Sequence, residues 1–403
     1  MKQVLFSFVL AAAPFFLFSQ LQLIQDFGPN PGNLDMYLYA PPGISDGAPV
    51  IMALHGCTQT AAQYAQETGW NTLADDYGFY VIYPEQKAVN NNTRCFNWFE
   101  AGDINRGQGE ARSIKAMLDY VAGNYIVDED KIFVTGFSAG GGMTSVMLAS
   151  YPELFAGGAI LAGLPYKAAI GLLPALTAMN VGVNKTPEQW GELVRAQNPS
   201  FTGPWPRVVV FHGAADFTVN VANAPEIIEQ WTNLHGTDDH ADVVEYPFDG
   251  NALVTRSTYQ NTEGQAVAMA YIVAGMGHVV AVDPGTATGQ GGAIGAYALD
   301  VNLYSSYRAL EFWGLLEMVS GKAVEAPRNA PFKIYPNPAR EWLNIELPGN
   351  AQLKLINTRG QALRALAGRN ELLRLDIRGL APGLYLVSVA TPERTATQKL
   401  FIY

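Results

Sequence analysis

A hydroxyl, an imidazole and a carboxylate are the groups in this chain whose types and settings could do nucleophilic chemistry together. Gly136-Phe137-Ser138-Ala139-Gly140 follows the apolar run Lys131-Ile132-Phe133-Val134-Thr135. The pattern G-x-S-x-G at a strand-to-helix junction is a sharp turn that lifts a serine hydroxyl above a sheet, with small neighbours because a side chain there would clash. A serine hydroxyl is a weak nucleophile near neutral pH and needs a base within hydrogen-bond reach. Two later loops offer the partners: Asp216 in His212-Gly213-Ala214-Ala215-Asp216, and His278 in Gly275-Met276-Gly277-His278. His278 is expected to take the serine proton and return it to a leaving alcohol, while Asp216 holds the imidazole in the useful tautomer. A developing oxyanion needs two amide donors. The expected ones are Ala139, directly after the serine, and Cys57 in the turn His55-Gly56-Cys57-Thr58.

These groups need a rigid frame. Apolar, β-rich runs at residues 50–54, 79–83, 132–135, 159–162, 208–211 and 269–273 alternate with helical patterns such as 109–121 and 139–150. Strands apolar throughout and separated by helices predict a parallel sheet covered on both faces. In such sheets reactive groups sit at the carboxyl ends of strands, and Ser138, Asp216 and His278 each follow one. Their chain order, serine then acid then histidine, is that of an α/β-hydrolase fold. Residues 35–40 alternate and predict an antiparallel edge strand. Residues 164–206 exceed a normal crossover and predict a small helical insertion near the site.

Other reactive-looking residues read as structural. His55 and His212 each precede a glycine at a strand end and are expected to be hydrogen-bonders. His235 and His240, near Asp238, Asp239 and Asp242, read as a solvated loop. Asp283 is the reserve acid for His278. Gly289, Gly291, Gly292 and Gly295 follow no strand and have the wrong spacing for a dinucleotide loop. No metal and no cofactor are expected. Aromatics cluster after Cys95, and Trp98 or Trp231 is expected to line a substrate subsite.

Composition sets outer limits. Of 403 residues 49% are hydrophobic and 15% charged, which fits a globular chain, and a net charge of −11 argues against nucleic acid as a partner. Lys2 followed by an apolar stretch over residues 4–18 predicts a signal peptide over residues 1–20, cleaved near Ser19 or Gln20, and no transmembrane segment in the mature chain. Export favours one disulfide between the only two cysteines, Cys57 and Cys95, over two buried thiols.

Over residues 30–320 the sequence resembles the esterases of the poly(3-hydroxybutyrate) depolymerase family. The resemblance rests on Leu54-His55-Gly56-Cys57-Thr58-Gln59, Thr68-Gly69-Trp70-Asn71, Tyr83-Pro84-Glu85-Gln86, Arg94-Cys95-Phe96-Asn97-Trp98-Phe99, Gly136-Phe137-Ser138-Ala139-Gly140-Gly141, Ala162-Gly163-Leu164-Pro165-Tyr166, His212-Gly213, Gly277-His278 and Asp283-Pro284-Gly285-Thr286. It implies ester hydrolysis with Ser138, Asp216 and His278 as the triad. The implied substrate is a polyhydroxyalkanoate polyester or oligoester. Feruloyl or acetyl esters of plant polysaccharides are the alternative substrates, and a catalytically silent polymer-binding protein is the alternative class.

After residue 320 the composition shifts. Residues 321–331 read as a linker, and residues 332–403 as a small β-sandwich with strands at 342–347, 352–357, 372–377, 385–390 and 399–403. Ile334-Tyr335-Pro336-Asn337-Pro338-Ala339, Asn357-Thr358-Arg359-Gly360 and Leu380-Ala381-Pro382-Gly383-Leu384-Tyr385 resemble the C-terminal sorting domain of the type IX secretion system. That likeness implies the export machinery as a partner and an extracellular or cell-surface destination. A polymer-binding module is the alternative.

Overall fold

The computed structural model describes residues 21–316 and, within 332–402, all but 336–338, 347–349, 358–361, 370–371, 382 and 391–394. The expected signal peptide and the expected linker lie outside the described residues. The chain divides into two compact units, Met1–Val319 and Ser320–Tyr403.

In the first unit the strands are β1 (Gln22–Ile24), β2 (Asp35–Tyr39), β3 (Ala48–Leu54), β4 (Tyr80–Glu85), β5 (Val127–Phe137), β6 (Gly157–Leu161), β7 (Arg207–Gly213), β8 (Val243–Glu245), β9 (Val254–Gln260) and β10 (Ala266–Val273). They form one sheet in the order β1-β2-β4-β3-β5-β6-β7-β10-β9-β8. The six central strands, β4 through β10, run parallel, and both margins are antiparallel. Residues 35–40 were expected at the edge. The strand there is antiparallel, but β1 covers it. The pair β8–β9 was not among the expected strands: β8 is only three residues long with both valines exposed, and on β9 only Val254 and Thr258 are buried, so neither carries a sustained apolar run.

Among the described residues this unit has eight helices, α1 (Ala61–Thr68), α2 (Trp70–Tyr77), α3 (Gly109–Asn124), α4 (Ala139–Ser150), α5 (Leu172–Val181), α6 (Pro187–Arg195), α7 (Asn223–His235) and α8 (Ser305–Trp313), of which all but α5 and α6 pack on the sheet. The all-apolar strands bury both faces. On β3, Val50, Met52 and Leu54 join the cluster under α3, α4 and α7, whereas Ile51 and Ala53 join that under α1, α2 and α8. Alternation by two residues sends neighbours to opposite faces, so every position on such a strand must be apolar. The insertion at 164–206 supplies α5 and α6. A two-stranded pair, β11 (Val280–Val282) with β12 (Ala298–Asp300), follows the loop bearing His278.

The second unit has a three-stranded antiparallel sheet, β13 (Lys333–Tyr335), β14 (Trp342–Glu346) and β17 (Leu372–Asp376). A four-stranded one comprises β15 (Asn350–Asn357), β16 (Ala362–Arg369), β18 (Gly383–Ala390) and β19 (Thr395–Ile402). Leu343, Ile345 and Leu375 of the first sheet share one apolar cluster with Leu353, Leu355, Val387 and Leu400 of the second. Strand β16 escaped the sequence reading because its alternation places arginines and alanines where a strand signal needs β-branched residues.

Candidate active site

Ser138 sits between β5 and α4 with φ 56° and ψ −117°, a backbone region costly for a residue with a Cβ. The turn is held by the Ser138 amide donating to the Leu161 carbonyl at 2.9 Å. Its tightness explains the flanking glycines. A Cβ on Gly136 would collide with the Gly140 carbonyl, and one on Gly140 with the Leu54 carbonyl. No side chain fits at either place, so the helix can start hard against the sheet.

Asp216 and His278 arrive from neighbouring strand ends. The Ala215 amide donates to the Met276 carbonyl and that of Ala214 to the Val273 carbonyl, both at 2.9 Å, which binds the acid loop to the histidine loop. Ser138 Oγ lies 2.8 Å from His278 Nε2, and His278 Nδ1 lies 2.7 Å from Asp216 Oδ2. A carboxylate can only accept, so Nδ1 carries the proton and Nε2 is free to accept from the serine. Asp216 Oδ1 accepts from the amides of Thr218 and Val219, each at 2.9 Å. Burial alone would push this carboxyl up, but the His278 hydrogen bond and charge, with those two amides, hold it below the ordinary aspartate value. The His278 ring rests on Phe137, centroids 4.8 Å apart. Phe137 is the variable position of the elbow motif, and no sequence signal marked it.

The turn after β3 is braced from several sides. His55 is fully buried, and its Nδ1 donates to the Gly56 carbonyl at 2.7 Å while Nε2 accepts the Gln86 amide at 3.0 Å. Both ring nitrogens are thus used by a neutral imidazole, and burial lowers its pKa to about 4. The Gly56 amide donates to Gln59 Oε1 at 2.8 Å, and the Thr58 amide to the Thr93 carbonyl at 2.6 Å. Cys57 and Cys95 are joined by a disulfide. Behind Cys95, Glu110 accepts the Asn97 amide at 2.8 Å, and burial, with Asp103 nearby, raises its pKa well above the usual carboxylate value. Among the described residues no backbone carbonyl takes the amide of Cys57 or of Ala139.

Ser138, Cys57 and Ala139 open onto a cleft of about 460 Å³ whose lining includes Trp98, Leu172 and Val219, with Glu100 its one charged residue. Trp98 packs on α4 at Gly142, where a Cβ would meet its ring at 2.7 Å. Trp231 requires a correction. It is fully buried and absent from the cleft, because it shares the inner face of α7 with Ile227, Ile228 and Leu234. Heptad-like spacing within α7 was the signal that would have placed it in the core. Leu172 and Leu176 of α5 line the cleft although sequence reasoning did not single them out.

Of the remaining histidines, His212 lies beside the acid, its Nε2 3.6 Å from Asp216 Oδ2, and His235 and His240 lie away from the cleft. His212 Nε2 donates to the Val219 carbonyl at 2.8 Å, and His235 Nε2 to the Pro206 carbonyl at 3.0 Å. His240 is exposed beside Asp238 and Asp239. Asp283 accepts from Gln290 at 3.2 Å, and the carboxylate on His278 is that of Asp216. Among the described residues no group of histidine, cysteine and acidic side chains could hold a metal ion.

This fold with this cleft defines a carboxylic ester hydrolase of the α/β-hydrolase class. Residues 34–245 match the family described as esterase PHB depolymerase, and the chain belongs to that family. It is 47% identical over 296 residues to poly(3-hydroxyalkanoate) depolymerase C of Paucimonas lemoignei, covering 73% of this chain and 70% of that protein. It is 34% identical to feruloyl esterase B of Neurospora crassa over 65% of this chain and 89% of the relative. The solved acetyl xylan esterase from Aspergillus awamori is similar with TM-score 0.62 and 27% identity, over 73% of this chain and 99% of that one. Residues 333–403 match a secretion system C-terminal sorting domain, so the protein is secreted. Among the described residues no helix is long and apolar enough to cross a membrane.

Proposed function

We propose that this enzyme cleaves the ester bonds of a 3-hydroxyalkanoate polyester or its oligomers through an acyl-enzyme on Ser138. The observation that carries the mechanism is one imidazole bonded at 2.8 Å to a strained serine and at 2.7 Å to a buried carboxylate. Ser138 Oγ attacks the ester carbonyl while its proton passes to His278 Nε2, and Asp216 stabilises the resulting imidazolium. The carbonyl π electrons move to oxygen, where the amides of Ala139 and Cys57 receive the negative charge. Collapse breaks the carbonyl–alkoxy bond, and the Nε2 proton leaves with the hydroxyl end of the departing chain. Water then gives its proton to His278, attacks the acyl carbon and releases the acid with Ser138 restored.

The polyester is favoured over plant-polysaccharide esters by the 47% identity to a poly(3-hydroxyalkanoate) depolymerase and by a cleft with almost no charge. Domain limits follow the same reading: a signal peptide at 1–20, the esterase at 21–320, a linker at 321–331 and a type IX address at 332–403. The test compares purified mature protein and its Ser138→Ala variant on poly(3-hydroxybutyrate) granules, methyl ferulate and acetylated xylan. The expected result is fastest release from the granules, lost by at least about a thousandfold in the variant with its circular dichroism unchanged. Preference for methyl ferulate or acetylated xylan would transfer the substrate to hemicellulose. Substantial turnover by the variant would remove Ser138 from the mechanism.

A further inference from the structure

The wall beside the cleft exposes what helices normally hide. Residues 170–181 carry no charged side chain, in a chain of net charge −11. On α5 the buried positions are the small ones, Ala175 and Ala178, whereas Leu173 is 76% and Val181 68% exposed. A helix packed through its apolar stripe has the opposite arrangement. Leu172 and Leu176, one turn apart, line the cleft. Positions 173, 177 and 181 form the adjacent outward row, since residues four apart are neighbours on a helix.

A second element extends this surface. Phe217, 89% exposed, follows Asp216 directly. Its loop is tied to the end of α5, because the Asn220 amide donates to the Met179 carbonyl at 2.7 Å and Asn223 Nδ2 to the Ala178 carbonyl at 3.0 Å. Large apolar side chains gathered in water mark a contact surface.

We propose that Leu173, Val181 and Phe217 form the surface by which the enzyme settles on solid aliphatic polyester, from which chain segments pass over Leu172 and Leu176 to Ser138. The occupant is argued from chemistry and continuity. A solid polyester presents apolar, uncharged material; this surface is uncharged and exposes Leu173, Val181 and Phe217 with one small hydroxyl, Thr177, between the first two, and on the same helix Leu172 and Leu176 line a cleft that reaches the nucleophile. The inference rests on the depolymerase reading above and adds a site outside the catalytic cleft.

The test uses the mature enzyme, the Leu173→Ser/Val181→Ser double variant and an Ile126→Ser control. Ile126 is 63% exposed but precedes β5 at the end of the sheet opposite Ser138. Binding to poly(3-hydroxybutyrate) film is read by depletion from solution, and p-nitrophenyl butyrate turnover reads the cleft alone. The double variant should bind film at least about tenfold more weakly, release product from film correspondingly slowly, and keep its soluble-ester turnover. The Ile126→Ser control should match wild type throughout. Unchanged film binding by the double variant overturns the proposal, as does an equal loss in the control or a parallel loss of soluble turnover. A wild-type enzyme that ignores film yet hydrolyses methyl ferulate overturns the depolymerase reading itself, a result separable from these.

Discussion

His55 shows how one buried side chain can act on a reaction it never touches. Its Nδ1 proton goes to the Gly56 carbonyl at 2.7 Å, and that carbonyl shares a planar peptide with the Cys57 amide. Fixing the oxygen therefore fixes the direction of the amide proposed to meet the oxyanion. His55→Leu should lower kcat by roughly tenfold to a hundredfold with KM nearly unchanged, because the loss falls on the transition state. His55→Asn keeps a donor near the Nδ1 position and should recover much of it. An equal loss in both variants would reduce His55 to a packing residue. The same ring carries a pH signature. The unfolded chain takes up its proton near pH 6.5 and the folded one near pH 4. Stability is full above about pH 6.5, declines as pH falls between these values, and levels off below about pH 4. Urea unfolding at pH 7.5 and 4.5 should show His55→Asn losing about 2–3 kcal/mol less than wild type over that interval.

At the scale of elements, the site is an agreement among loops at one edge of the parallel strands. The β3 turn is irregular, with Thr58 at φ 65°, and its internal bonds, from the Gly56 amide to Gln59 Oε1 and from the Gln59 amide to the Gly56 carbonyl, are supplemented from outside. The disulfide to Cys95 ties it to the 91–97 loop, which Glu110 of α3 anchors from behind. The bridge spans 38 residues of chain, and closing a loop of that length restricts the unfolded state by about 4 kcal/mol. A Cys57→Ala/Cys95→Ala variant should unfold at lower urea by about that free energy. Its kcat should fall about tenfold, because a loosened loop presents its amide donor less often. Full activity in the variant would show that His55, Gln59 and Thr93 suffice to aim the turn.

For the whole molecule, the two units have separate cores. Among the described residues, none of the second unit's apolar cluster belongs to either cluster of the first. Each should therefore fold by itself. A chain ending at residue 327 should retain its turnover of soluble ester and its melting temperature, yet stay inside the producing cell when expressed in its natural host. Activity assays on culture medium and lysate distinguish the outcomes. Secretion of the truncated enzyme would overturn the address reading, and a loss confined to solid polymer would make residues 332–403 a binding module.

Short-range regularities in the sequence were enough for the parallel core, the elbow, the three loops that meet at it and five strands of the second unit. Sterics around Gly136 and Gly140, strand alternation and strand-end placement all act over a few residues, so they leave a readable pattern. Other features depended on contacts between distant segments. Trp231 turned inward because α7 offers one apolar face to the sheet. β1 covered the expected edge, and β8–β9, too little buried to form a sustained apolar run, were completed by hydrogen bonds to β10. Helix α5 was expected only as part of a helical insertion near the site, and the tertiary structure left its leucines in water. Which apolar residues are covered depends on how much partner surface the fold brings to them, and no local pattern records that quantity.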